Sequence, residues 1–394
     1  SVTNTSGSGS TFTLTNGTDV AAANTFNSGL VYNPAGTDRI NALQSEDTLT
    51  GTGPNPTLNA TLGNKNDNGA ASVTPTLNKI EAINLQFTGD TNTLDVRFAD
   101  SLNSLAITKI TAEASNTVNI NNIGQPAANL TVKDSAQVGN TVNFNYVDNV
   151  LPGTTAKGNA ETGNVTISST NLTKLHIGNV ANTQGFETLN LAASKINHIS
   201  ALEAADLENL NISGSGTLSI VNTVEQTDRV QYKANGIGIG DGLGIRTIDL
   251  SGFNTAGLAT DTAAIDISKA LGGHADPANS GVKYFSTTTG SNGNDTLWTT
   301  ADLAADSATL KDVINAGTGT DTLKLIDASI KRVGEVVDKT DTTKAICSVT
   351  GVENLEVRLQ ASPPAGAAET VNLAAFDTAL TSVALRNEQS TGAD

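Results

Sequence analysis

With 394 residues, the chain is long enough for two or three ordinary domains or one extended solenoid with a sizeable core. Its 39 acidic against 22 basic residues leave a net charge of −17, a surface that repels nucleic acid and anionic lipid and attracts divalent cations. The single cysteine, Cys347, excludes an internal disulfide framework and is expected to be a buried, inert thiol. No apolar run reaches the length of a transmembrane segment.

Aromatic residues make up only 4% of the chain and charged residues 15%, methionine is absent, and Thr, Asn, Ser, Ala and Gly crowd the rest. Such a chain suits a long, mainly β structure whose thin core is built from small side chains. It opens at Ser1 with no charged n-region or apolar h-region, so no Sec-type signal peptide is expected in this stretch, and the chain is expected to be a piece of something longer.

Residues 1–75 form a Gly/Thr-rich β segment, with short strands predicted at Thr11 to Thr15 and Thr57 to Leu62. Reduced copies of a glycine-and-aspartate turn motif recur there at Asp19, Asp38 and Asp47. Asp38 alone keeps both the preceding glycine and the apolar residue two places on, Ile40, and is therefore the first choice among them as a metal ligand. Asp47 lacks the glycine.

Residues 76–280 are read as an irregular β-solenoid. The frame apolar-x-x-apolar-x-apolar begins at Ile80, Leu102, Leu172, Phe186, Leu207 and Ile245, and returns beyond this region at Val352 and Leu380. Some steps are regular, 22 residues from Ile80 to Leu102 and 21 from Phe186 to Leu207, while others are not. About twenty residues carrying a short strand is what a solenoid coil needs, and the longer steps become loops thrown out from the coils. The same frame opens a leucine-rich repeat, which demands Asn or Cys three places after its last apolar residue. Those places hold Thr88, Ile110, Val180, Ser194, Ser215, Phe253 and Gln360, so that repeat is rejected. Alternation predicts further strands at Thr117 to Ile120, Leu130 to Val132, Thr141 to Tyr146 and Val165 to Ile167. Short helices are predicted at Ser200 to Asp206, Thr262 to Leu271, Asp302 to Ile314 and Asn372 to Leu380, the last in conflict with the frame starting at Leu380.

Residues 281–394 carry the two most complete motifs, Gly290-Ser-Asn292-Gly293-Asn-Asp295-Thr-Leu297 and Ala316-Gly317-Thr-Gly319-Thr-Asp321-Thr-Leu323. Both fit the calcium-binding nonapeptide G-G-x-G-x-D-x-apolar-x of parallel β-rolls, each short of one opening glycine. Glycines let the backbone turn tightly and aim its carbonyls at one point, and the aspartate adds a carboxylate, giving the oxygen-only shell that Ca²⁺ prefers. Gly290, Asn292, Gly293, Asp295, Gly317, Gly319, Asp321 and Asp38 are the candidate ligands, and Leu297 and Leu323 are expected to face away from the metal into the core. One copy cannot supply six to eight oxygens, so the copies, 26 residues apart, have to stack as neighbouring coils or borrow oxygens from elsewhere. A turn leading into a strand accounts for either copy alone equally well.

No catalytic constellation is visible. The stretch from Gly236 to Gly244 lacks the Gly-Lys-Ser/Thr ending of a phosphate loop, His176, His198 and His274 have no metal-ligand spacing, and no G-x-S-x-G elbow is present. The Asp276-Pro277 bond reads as an ordinary turn. The chain is therefore not expected to be an enzyme.

The degenerate nonapeptides, the stretches Phe12 to Asp19, Thr37 to Leu43 and Gly351 to Val357, the Thr/Asn bias, the acidic charge and the scarcity of sulfur together resemble RTX-type surface-layer (S-layer) proteins of Gram-negative bacteria. That resemblance implies type I secretion, calcium-dependent folding outside the cell and self-assembly into a two-dimensional lattice on the cell surface. It also implies possible attachment to lipopolysaccharide through a terminal domain. The sequence departs from the family in having few intact nonapeptides and in an end, Asn387 to Asp394, unlike an apolar secretion signal. The other readings weighed are an RTX adhesin or glycan-binding anchoring module and an exported enzyme carrying a β-roll.

Overall fold

Alternating apolar and polar residues, interrupted every few positions by Gly, Asn, Asp or Pro, give short strands with one buried face. In the computed structural model these strands stack in parallel, coil upon coil. It describes residues 2–5, 10–63, 71–88, 92–111, 116–151, 161–220, 237–238, 245–268, 270–271, 274–275, 283–299, 311–326, 348–359 and 373–387. The fold is a parallel β-solenoid divided into two units, Ser1–Phe186 with Glu203–Ala205, and Glu187–Leu202 with Asp206–Asp394.

Among the described residues of the first unit the coils build three parallel ladders. One runs through Thr11–Thr13, Thr25–Ser28, Thr57–Gly63, Ala82–Thr88, Ser104–Ile110 and the first half of Asn129–Tyr146. A second runs through Val2–Thr5, Asp19–Ala23, Thr48–Gly51 and Thr76–Asn78, and a third through Ala71–Val73, Asn92–Asp95, Thr117–Ile123 and the second half of Asn129–Tyr146. Leu30–Tyr32 and Arg39–Asn41 leave the coil as an antiparallel hairpin.

The second unit has two ladders. The first passes through Asn209–Gly214, Thr247–Phe253, Thr287–Thr289, Val313–Asn315 and Ser348–Thr350. The other passes through Thr217–Ile220, Thr262–Asp266, Asn294–Thr299, Thr322–Ile326, Asn354–Leu359 and Ser382–Asn387. Both start from Thr188–Ile199.

Parallel register turns the apolar frame into columns. Phe26, Leu58, Ile83, Leu105 and Leu130 lie on one line, and Ile220, Ile265, Leu297, Leu323 and Leu355 on another, all buried. The first apolar residue of the frame sits at the corner before the strand, where Ile80, Leu102, Leu207, Ile245 and Val352 are buried. Each buried aliphatic side chain contributes about 1.5–3 kcal/mol, so a slender core gains its stability by repetition. On the outer face, asparagines stack amide on amide: Asn59 donates to Asn27 Oδ1 (3.0 Å), Asn84 to Asn59 Oδ1 (2.9 Å), and Asn143 to Asn119 Oδ1 (2.7 Å).

The predicted helices give way. Thr262–Asp266 is a strand, held in register between Thr217–Ile220 and Asn294–Thr299, because pairing on both sides outweighs a helix preference of tenths of a kcal/mol per residue. In the region Ser200 to Asp206 the described secondary structure is the two-residue strand Leu202–Glu203; of the helix predicted over Asp302 to Ile314, residues 302–310 lie outside the described residues and its end enters the strand Val313–Asn315. Leu373–Ala375 makes a single 3₁₀ turn, and Ser382–Asn387 is a strand, so the frame prevails over the helix there. Among the described residues no helix is long and apolar enough to cross a membrane. Cys347, the Asp276-Pro277 bond and most of Gly236 to Gly244 lie outside the described residues.

Candidate functional site

The two nonapeptides stack on adjacent coils, as their spacing requires: Thr296 pairs with Thr322 and Leu297 with Leu323. The aspartates do not face away from the leucines. Residues two apart on a strand share a face, so Asp295 and Asp321 point inward with Leu297 and Leu323, and all four are buried. The expectation of metal on one side and core on the other is thereby corrected. The inward column that holds Leu218 and Ala263 changes to Asp295 and then Asp321 as the solenoid advances.

Each acid serves the coil before it. Asp321 Oδ1 accepts the backbone N–H of Asp295 (2.8 Å), and Glu353 Oε2 accepts the N–H of Asp321 (2.7 Å). Asp295 in turn accepts the backbone N–H of Ala263. Within its own turn Asp295 takes the Ser291 N–H on Oδ2 (2.6 Å) and the Ser291 hydroxyl on Oδ1 (2.9 Å). At a corner the chain departs from the strand ladder, and a side-chain carboxylate replaces the lost backbone acceptor.

The glycines make this close stacking possible. A Cβ on Gly290 would lie 1.9 Å from the Ala316 carbonyl oxygen, and one on Gly317 2.1 Å from that of Ser291. Gly293 faces the Asn254 amide and Gly319 the Gly293 carbonyl, each too near for a side chain. Asn292 is exposed; its side-chain amide donates to the Thr255 carbonyl (3.4 Å), and its own carbonyl accepts the Thr318 hydroxyl of the next turn (3.5 Å). Asp38 does not join the group: it sits in the hairpin turn of the first unit, where the Thr37 hydroxyl donates to its Oδ2 (3.0 Å).

The first unit builds its own version from the aspartates ranked lower in the sequence. Asp47 Oδ1 accepts the Asp19 N–H (2.8 Å), Asp47 Oδ2 accepts the Gln44 N–H (2.8 Å), and both acids are buried. Glu353 was overlooked, yet Gly351-Val-Glu353-Asn-Leu355 repeats the glycine-x-acid-x-leucine order of Gly319 to Leu323 one coil earlier.

The electrostatics single out Asp321. Burial, then the nearby carboxylates of Asp295 and Glu353, push its carboxyl up to about 7 against the relief given by the Asp295 N–H. Its Oδ2 is buried without a hydrogen-bond partner. Burial also raises Asp295 and Asp47, with backbone N–H donors opposing the shift. Among the described residues no Lys or Arg pairs with Asp295, Asp321 or Glu353, and no three His, Cys, Asp or Glu side chains converge on one point that would hold a metal. The donor set is nevertheless all oxygen and anionic, and Asp321 Oδ2 is a free acceptor within it; a hard cation fits this chemistry.

His176 lies apart, in the first unit, with Nε2 3.0 Å from the Asn179 carbonyl and Nδ1 3.4 Å from Glu203 Oε2. Burial lowers its pKa below the ordinary imidazole value, with the Glu203 charge opposing.

Compared with known proteins, the chain matches no family model, no curated protein and no solved structure. Fold and site alone define its class, a parallel β-solenoid with acid-capped coil corners.

Proposed function

We propose that this chain is a structural component of a bacterial surface layer that assembles with copies of itself into a two-dimensional lattice, and that calcium stiffens it at the acid column of the second unit. The observation that carries the reading is Asp321, a buried acid between two others with a carboxylate oxygen left without a donor. Folding this column without a counter-ion means either protonating Asp321 or confining three carboxylates together. A cation bound to the folded state alone removes that cost and converts binding free energy into folding free energy. Low calcium inside a cell and high calcium outside would then keep the chain unfolded for export and fold it afterwards. The net charge of −17 adds a general repulsion that divalent cations relieve.

The test is to incubate the purified chain with calcium or with EGTA and follow particle size and electron micrographs. Ordered sheets in calcium, absent in EGTA and reduced in the Asp295→Ala/Asp321→Ala double variant, are expected. A chain that stays monomeric in both solutions overturns the lattice reading.

A further inference from the structure

Two turns, one in each unit, are built alike. In the first unit the Thr15 N–H donates to Asp19 Oδ2 (2.8 Å), the Thr15 hydroxyl donates to Asp19 Oδ1 (3.0 Å), and the Gly17 N–H donates to the Thr15 hydroxyl oxygen (3.3 Å). In the second, Ser291 gives its N–H and hydroxyl to Asp295 in the same way, and the Gly293 N–H donates to the Ser291 hydroxyl oxygen (3.1 Å). Between hydroxyl residue and glycine each turn presents an exposed asparagine, Asn16 or Asn292. The other two Asn-Gly pairs of the chain, at Asn68 and Asn235, lie outside the described residues.

An asparagine followed by glycine is open to attack by the next backbone nitrogen on its own side-chain amide carbon, because glycine has no Cβ to obstruct the approach. An amide nitrogen is a poor nucleophile until its proton is drawn off. Here a hydroxyl oxygen already accepts that N–H, and a carboxylate holds the hydroxyl's own hydrogen, which strengthens the oxygen as an acceptor. The two turns differ in freedom. A Cβ on Gly17 would meet nothing within 4 Å, whereas one on Gly293 would lie 2.0 Å from Asn254 Nδ2 and 2.9 Å from the Asp261 carbonyl oxygen. Ring closure requires the peptide to swing towards the side chain, and only the Gly17 turn has the room.

From this geometry we infer that Asn16 is a self-modifying site, converted to aspartate or isoaspartate by its own turn, and that packing protects Asn292. The Gly17 nitrogen gives its proton through the Thr15 hydroxyl to Asp19 and bonds to Asn16 Cγ. The Cγ–Nδ2 bond then breaks, ammonia leaves with the relayed proton, and water opens the succinimide at either carbonyl. Thr15 touches the reacting atoms; Asp19 acts through it and is a positioning residue. Asn16 Nδ2 donates to the Tyr32 carbonyl (3.0 Å), so the reaction removes a donor that ties the hairpin of Leu30–Tyr32 and Arg39–Asn41 to the coil, and leaves a negative charge in its place. The inference does not depend on calcium or on the lattice.

The test is to incubate the full chain in neutral buffer at physiological temperature and map it by peptide mass spectrometry, with enzymatic methylation of isoaspartate as a second readout. Conversion of Asn16 is expected to run about tenfold or more faster than that of Asn292 in the same folded chain, and faster than that of Asn16 in urea. Thr15→Val removes the relay oxygen and should slow Asn16 about tenfold, while Thr15→Ser keeps the oxygen and the rate; thermal unfolding verifies that each variant is folded. If Thr15→Val does not fold, the comparison of folded with urea-unfolded wild type decides. Asn16 that stays intact in the folded chain, or reacts no faster there than in urea, overturns the assignment. Folded Thr15→Val that converts at the wild-type rate does so too, since exposure of an Asn-Gly pair would then suffice.

Discussion

Replacing Asp321 by asparagine removes one charge and keeps the acceptor for the Asp295 N–H, because the asparagine Oδ1 can take the place of the carboxylate oxygen at 2.8 Å. The new NH₂ falls where Oδ2 had no partner, beside the carboxylates of Asp295 and Glu353. In the wild type the folded carboxyl is raised to about 7, against about 3.9 when unfolded. Between these values the folded chain holds a proton that the unfolded chain has released. Stability from this group is therefore complete at low pH and is lost as pH rises through 7. About three units correspond to at most about 4 kcal/mol, and screening by solvent reduces this to about 1–2 kcal/mol. At pH 8 in EGTA, Asp321→Asn should unfold about 2–8 °C higher than the wild type, an advantage that vanishes at pH 4. Calorimetric scans of both proteins across that range provide the assay. An asparagine variant less stable than the wild type at pH 8 without calcium would refute the reasoning.

In the first unit, Asp47→Ala strands the buried N–H of Asp19 and frees the part-buried N–H of Gln44, and should destabilise by about 1–3 kcal/mol, read as a lower urea midpoint. Gly290→Ala places a methyl 1.9 Å from the Ala316 carbonyl oxygen and should cost about 1–3 kcal/mol by forcing the coils apart, measured the same way and not reversed by calcium. Leu323→Ala opens a gap between Leu297 and Leu355 and should cost about 2–5 kcal/mol in a urea titration.

The solenoid was legible because its signal is repeated: each apolar frame such as Ile80 to Leu85 turns one corner and enters one strand, and parallel stacking places the same positions over one another. The 26-residue spacing of Asp295 and Asp321 likewise survives as an adjacent-coil pair. The helices at Thr262 and Asn372 were misread because local propensity carries no knowledge of the strands above and below, whose pairing decides the outcome. The inward orientation of the aspartates followed from strand alternation and was available from the Asp-Thr-Leu order itself. Asp19, Asp47 and Glu353 join the acid-capped corners through the coil register, which glycine spacing in the sequence does not carry. Register also separates Asp38 from them, since Leu30–Tyr32 and Arg39–Asn41 form a hairpin that only pairing reveals. The outer-face amide stack is hidden in the sequence for the same reason: Asn27, Asn59 and Asn84 are scattered along the chain and become one row only when the coils stack.

The most direct measurement of the central claim is thermal unfolding of the full chain at pH 8 during a calcium titration, alongside Asp321→Asn. A saturable rise is expected for the wild type, about 2.7 kcal/mol at a hundredfold excess over the dissociation constant, with little or none for the variant. A wild-type transition that calcium does not move, or a variant that responds to calcium as fully as the wild type, would contradict the role assigned to Asp321 and its column.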